Sequence, residues 1–248
     1  AGGVGSISNN QVFDIYEERD RPGVLWVSTG FGWNRFDSES GTFRAFFNDP
    51  ADPTSINANF SRCTYESPDG MLWVCSGGGL ARFDPRTETF RQYARDPADP
   101  ESLSSNNVMD VWQDDEGTLW LATYGGGLER LDPETGKVRH FQQESGHHEG
   151  GHHEDGLPSD SIYSVLPDGQ GHLWISGNQG LSRLDPRTLK LDHYDTGDGL
   201  QSTEFNGRAF RRTDSGELLF GGVNGLPIDV ILSDVCDAGR PFERPRFL

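Results

Sequence analysis

The sequence predicts an all-β protein, a β-propeller built of about five four-stranded blades. Three observations predict it. A short phrase centred on tryptophan returns along the whole chain, and each interval between copies has room for four short strands. Glycine is abundant, at 32 of 248 residues, while hydrophobic residues make up only 33%. Repetition on a period of about 40–50 residues marks solenoids and propellers. Short strands with dense turn residues exclude a helical bundle.

The copies read "GVLWVSTGFGWNRFDSESG" at 23–41, "GMLWVCSGGGLARFDPRTE" at 70–88, "GTLWLATYGGGLERLDPETG" at 117–136 and "GHLWISGNQGLSRLDPRTL" at 171–189. A worn copy, "GELLFGGVNGL", stands at 216–226. Trp26, Trp73, Trp120, Trp174 and Leu219 therefore share one register, each preceded by a glycine: Gly23, Gly70, Gly117, Gly171 and Gly216. In the first four copies an Arg-apolar-Asp triplet follows, from Arg35-Phe36-Asp37 to Arg183-Leu184-Asp185. The third copy shows the anatomy of one blade. "NVMDVWQD" is strand one, "DEG" a tight turn, "TLWLAT" strand two, "GLERLD" strand three, "PETG" a turn, and "KVRHFQ" strand four. The leading glycine closes a hairpin that needs positive φ. The tryptophan fills the gap between adjacent blades. Blades are expected over 5–53, 54–101, 102–157, 158–198 and 199–232, with the repeats ending near 226 and a non-repeat tail or linker from 233 to 248.

The formal net charge is −18, which repels phosphate backbones and argues against a nucleic-acid partner. No apolar run reaches the roughly 20 residues needed to span a bilayer, so this segment is expected to make no membrane contact. The three cysteines are too few for a disulfide framework. Cys63 and Cys75 flank an "SPDG" turn and could face each other across a hairpin. Free buried thiols are the commoner state and are the expectation here, with Cys236 unpaired either way.

The repeated phrase, together with "NDPADPTSINANF" (48–60) and "RDPADPESLSSNNV" (95–108), resembles the two-component-regulator propeller repeat. That family forms the periplasmic sensor regions of bacterial hybrid two-component systems. The stretch "DGLQSTEFNGRAFRRTDSGELLFGGVNG" (198–225) is similar to the family's final blade. The resemblance implies an extracytoplasmic location and a carbohydrate ligand, often an oligosaccharide, with relay to a signalling module outside this chain. It also implies seven blades, so the five repeats belong to a longer array or form a unit closed by itself or by assembly. A homo-oligomer would supply such assembly. An open array exposes edge strands, which favours closure. One departure is local: the register puts Ile228 and Val230 where the motif has Arg and Asp, although 228–232 can still form a strand.

Loops between strands two and three share one face with the long connections between blades. Ligand sites gather on such variable loops. The candidates there are Phe31, Tyr124, Asn178, Gln179 and Asn224, aromatic and amide side chains suited to stacking on sugars and bonding hydroxyls. Trp33 lies on the same face but takes the position of Leu80, Leu128 and Leu181, which assigns it to the core. Asp49, Asp52, Asp96 and Asp99 of the "DPADP" segments are hard oxygen donors that could hold Ca²⁺. Turn formation is the stronger reading of Asp-Pro pairs followed by Ser and Asn, and no cofactor is expected.

The insertion "SGHHEGGHHEDG" at 145–156 contains a formal H-E-x-x-H. Its internal glycines oppose the helix on which that zinc motif depends, so a protease is not expected. Adventitious Zn²⁺ or Ni²⁺ capture by His147, His148, His152 and His153 is the metal reading; a flexible polar loop is the simpler one. No "GxSxG", P-loop or Rossmann phrase occurs, and the chain is read as non-enzymatic. The alternatives are a metal-dependent lyase related to streptogramin lyase, for which only His140, His172 and His193 remain, and a protein-interaction scaffold.

Overall fold

The computed structural model describes residues 5–143, 156–223, 227–231 and 246–247. Five antiparallel four-stranded sheets follow one another along the chain, each a simple meander. The first holds β1 (Val12–Glu17), β2 (Val24–Thr29), β3 (Trp33–Asp37) and β4 (Thr42–Phe46). The second holds β5 (Ser61–Glu66), β6 (Leu72–Ser76), β7 (Gly79–Asp84) and β8 (Thr89–Tyr93). In the third are β9 (Val108–Gln113), β10 (Leu119–Thr123), β11 (Gly127–Leu131) and β12 (Val138–Phe141). The fourth comprises β13 (Ile162–Pro167), β14 (Leu173–Gly177), β15 (Leu181–Leu184) and β16 (Leu191–Tyr194). The fifth comprises β17 (Phe205–Arg212), β18 (Leu218–Gly222), β19 (Pro227–Ile231) and β20 (Arg246–Phe247). This is the blade arithmetic of a β-propeller. Residues 246–247, assigned by sequence to the tail, pair with β19 as a short fourth strand.

The recurring residues have separable physical roles. Gly70 (φ +79°) and Gly171 (φ +95°) close the β5–β6 and β13–β14 turns in the left-handed region, where a side chain would be strained. The glycine opening strand three is needed for close approach: a Cβ on Gly79 would lie 2.3 Å from the carbonyl oxygen of Tyr93. Tryptophan and arginine face each other across strands two and three, as in Trp26↔Arg35 and Trp73↔Arg82. The guanidinium lies over the indole, at 5.6 Å for Arg82 on Trp73 and 5.7 Å for Arg130 on Trp120.

The aspartate ending the triplet caps the following turn. Asp37 accepts from Ser40 N, Asp84 from Arg86 N, Asp132 from Glu134 N and Asp185 from Arg187 N, at 2.8–2.9 Å. These bonds hold all four carboxyls below their ordinary pKa: backbone donors lead at Asp37, Asp84 and Asp185, and the Thr135 hydroxyl leads at Asp132. A lowered folded-state pKa gives stability that is present above the unfolded value and lost as pH falls through the folded one. Urea midpoints should therefore decline below about pH 4, modestly, because solvent screens these exposed carboxyls. Replacing the four aspartates with asparagine, which keeps the cap and removes the charge, should flatten that dependence.

Two compact units divide the chain: residues 1–121 with 129–139, and residues 122–128 with 140–248. In the first unit Trp26 and Trp33 stack at 4.0 Å and pack with Leu72, Val74, Phe83 and Phe90 of the second sheet. Trp33 is thus core, with its indole N–H donating to Thr64 Oγ1 at 2.9 Å. Trp73 in turn packs among Val108, Val111, Leu119 and Leu131 of the third sheet. In the second unit Trp174 packs with Phe205, Leu218 and Phe220. Trp26, Trp73 and Trp174 each belong to the core formed with the next sheet, and these three and Trp120 are at most 1% exposed. Leu219, at the worn position, is half-buried.

One expectation is overturned. Cys63 and Cys75 are not free thiols but form a disulfide. They lie directly opposite each other on β5 and β6, with Cα atoms 5.0 Å apart, inside the range a disulfide requires. The cross-strand register places them together, a constraint stronger than the general preference of buried cysteine for the reduced state.

Candidate functional site

Loops between strands two and three are anchored to the connections that follow. Gly32 N donates to Asn59 O, Gly125 N and Gly127 N to Asp160 O, and Gly180 N to Thr203 O. In the second unit this arrangement presents Tyr124, half exposed, stacked on Tyr163 of β13 with ring centroids 6.2 Å apart. Burial, then the neighbouring Tyr124 and Glu204, pushes the Tyr163 phenol above its ordinary pKa and keeps it a neutral donor. Asn178 is half-buried and its Oδ1 has no hydrogen-bond partner, while Gln179 is exposed. In the first unit Phe31 is exposed beside Phe47, centroids 5.6 Å apart. Asn224, His147, His148, His152 and His153 lie outside the described residues. Tyr163 and Phe47 were missed from sequence. The signal for Tyr163 was its register: Phe13, Arg62 and Met109 stand at the same place in strand one, so the position changes from copy to copy.

The Asp-Pro segments build turns. Asp49 accepts from Ala51 N, Asp96 from Ala98 N and Asp99 from Glu101 N, each at 2.9 Å. Asp52 accepts from Thr54 Oγ1 (2.7 Å) and Thr54 N (2.9 Å), which together lower its pKa. Ser55 and Ser102 tie the two ends of each turn through the backbone of Asp49 and Asp96. Among the described residues no group of three or more His, Cys, Asp or Glu is placed to hold a metal ion. The remaining histidines have local contacts: His172 Nδ1 lies 3.1 Å from Asp168 in the β13–β14 turn, and His193 Nδ1 lies 3.3 Å from Ser182 Oγ. No helix among the described residues is long and apolar enough to cross a membrane.

A concavity of ligand size lies elsewhere. A cleft of about 620 Å³ opens in the first unit between the second and third sheets, at the strand ends that carry the short turns. Trp73 and Arg82 line one wall, Arg130 and Lys137 the other. Arg82 pairs with Asp69 at 3.2 Å and Glu134 at 3.5 Å, Arg130 with Glu116 at 3.6 Å, and Lys137 with Glu101 at 2.7 Å. Sequence reasoning passed over this cleft because Trp73, Arg82 and Arg130 are motif residues, and recurrence marks them as scaffold.

The family described as "Two component regulator propeller" matches residues 156–179. Histidine kinase P4 of Formosa agariphila is 37% identical over 67 residues, 27% of this chain and 5% of that protein. Over 92% of its length the chain matches the extracellular domain of a hybrid two-component system from B. thetaiotaomicron, with a TM-score of 0.74 and 25% identity. It covers 29% of that structure. The extracellular domain of a one-component system from the same organism matches with a TM-score of 0.71 and 22% identity, over 91% of this chain and 30% of that one. Virginiamycin B lyase from Staphylococcus aureus, 13% identical with a TM-score of 0.62, covers 91% of this chain and 71% of its own, and shares the fold alone. The chain thus spans less than a third of the two extracellular domains and about one twentieth of the kinase.

Proposed function

We propose, from the premise that this chain is built of two-component-regulator propeller repeats, that it is the ligand-sensing part of a longer bacterial signalling protein. One observation carries the reading: nearly the whole chain superimposes on an extracellular domain of a hybrid two-component system at 25% identity. On this reading the propeller lies in the periplasm or otherwise outside the cytoplasm and does no chemistry of its own. It binds a carbohydrate and relays its presence to a signalling module beyond this chain, with homo-oligomerisation as a route for the relay. Asn178, Gln179 and the stacked Tyr124–Tyr163 pair are the ligand positions in the second unit, and Phe31 with Phe47 offers an aromatic platform in the first. Aromatic faces beside amides match the alternating apolar faces and hydroxyls of a sugar ring. The acidic surface is consistent with a neutral ligand.

Thermal-shift measurements against a broad set of oligosaccharides test the ligand class, because a ligand specific for the folded state raises the melting temperature. Tyr124→Ala should remove the shift given by the active sugar while leaving the unliganded melting temperature within about 2 °C, since the side chain is half exposed. No shift with any glycan would overturn the carbohydrate reading. The sensor reading is tested separately by the complete reading frame: a kinase or other output domain supports it, and its absence refutes it.

A further inference from the structure

The repeat supplies an internal comparison at the turn after strand one. The opening residue of that turn is identified in every blade by its backbone N–H, which bonds the carbonyl two residues before the motif tryptophan or its leucine counterpart. These residues are Glu18, Ser67, Asp114, Asp168 and Thr213. In the first blade Glu18 Oε2 accepts from the Trp26 indole N–H at 3.2 Å. In the third, Asp114 Oδ2 accepts from Trp120 at 3.0 Å. In the fourth the carboxylate of Asp168 is present but engages the His172 ring, and Trp174 Nε1 is buried without an acceptor. The second blade has no carboxylate at this position. Ser67 turns its hydroxyl to Asp69 (2.5 Å) and Met71 O (3.0 Å), and Trp73 Nε1 is left buried without an acceptor.

The large cleft opens at this same place. Trp73, only 1% exposed, lines it, and so does Arg82, whose Nε, like that of Arg35 in the first blade, is a buried donor without a partner; what sets the second blade apart is that both orphaned donors sit on one cleft. Both unmet groups are N–H donors, and the guanidinium lies 5.6 Å from the indole centroid. A buried donor without an acceptor is costly, and a charged acceptor is the strongest remedy. The existing partners of Arg82 are easily exchanged: Asp69 and Glu134 are 54% and 78% exposed, and such solvent-screened pairs hold weakly. Five acidic side chains line the cleft against four basic ones, so recognition of a carboxylate here depends on directed donors and not on a positive field.

We infer that this cleft binds a small carboxylate-bearing ligand, whose carboxylate takes the place in the second blade that Glu18 and Asp114 fill in the first and third. The indole N–H of Trp73 and the Nε–H of Arg82 are its donors. The site is distinct from the loop positions proposed above and stands or falls without them.

Titration calorimetry and thermal shift on the whole chain, with acetate, glucuronate and glucose as probes, test the inference. A carboxylate should bind and glucose should not. Binding of glucuronate alone identifies a sugar acid, and equal binding of acetate identifies a simple carboxylate. Ser67→Asp supplies the missing group internally. It should raise the melting temperature of the free protein and weaken carboxylate binding by at least about tenfold. Trp73→Phe, which keeps the ring and deletes the donor, should weaken binding without the gain in stability. Failure of both acids to bind, or equal binding of glucose, overturns the inference, as does unchanged affinity in folded Ser67→Asp. Should Ser67→Asp not fold, unchanged affinity in Trp73→Phe overturns it.

Discussion

Trp26→Ala is expected to lower the unfolding free energy by about 3–5 kcal/mol, the range for removing a fully buried large aromatic. Several losses coincide at this residue. The indole stacks on Trp33 at 4.0 Å and meets the edge of Phe83 at 5.3 Å, so its removal opens a cavity shared by two sheets. Its N–H bond to Glu18 also disappears, leaving a carboxylate that is 9% exposed with one partner fewer. Arg21 still holds Glu18 at 2.5 Å, which limits that penalty. Trp26→Phe should cost less, because it retains much of the ring contact and loses chiefly the hydrogen bond. Urea denaturation of the two variants orders them, and equal loss for both would show that stacking on Trp33 adds little.

Removing the disulfide should cost about 3 kcal/mol on the chain-entropy account of a short closed loop. Cys63 and Cys75 are separated by 12 residues and are 3% and 0% exposed, in the core that also holds Trp73 and Leu80. The double variant Cys63→Ala/Cys75→Ala is the clean comparison, since each alanine loses one sulfur and buries no new polar group. Its melting temperature should be insensitive to dithiothreitol, whereas that of the parent protein should fall on reduction under denaturing cycles. A parent protein whose stability does not respond to reductant would show that the bond contributes little.

How much of this was legible beforehand depended on whether a residue's role repeats. Trp26, Trp73, Trp120 and Trp174, the hairpin glycines and the turn-capping aspartates each do the same task several times, so alignment of the copies was enough to assign them. Trp33 could be placed in the core because its counterparts are leucines. The disulfide occurs once, and its warrant is the cross-strand register of Cys63 with Cys75, which no repeat comparison reveals. At the candidate site Tyr124 stood out because its counterparts vary, but its stacking partner Tyr163 lies on a different strand and needed coordinates. The cleft was hidden for the opposite reason. Its walls are motif residues, and the telling departure is one serine in the "SPDG" turn where the third and fourth copies begin with aspartate.

Left-handed backbone at Glu88 (φ 56°) and Leu189 (φ 62°) marks where the second and fourth copies have lost the turn glycine kept at Gly41 and Gly136. Glu88 has gained something in exchange, since Arg44 from the outer strand of the preceding sheet grips its carboxylate at 2.5–2.6 Å. Farther along, Arg91 and Tyr93 reach the carbonyls of Pro133 and Glu134 in the next sheet's turn at 2.8–3.0 Å. Along this stretch, then, each outer strand clasps the turn made by the blade after it. These sheets are complete in sequence order, and each of the two clasps needs only the blade synthesised next. Such a chain can fold vectorially: a nascent blade docks onto a finished one, and the costly closure of long loops is deferred from one blade to the next.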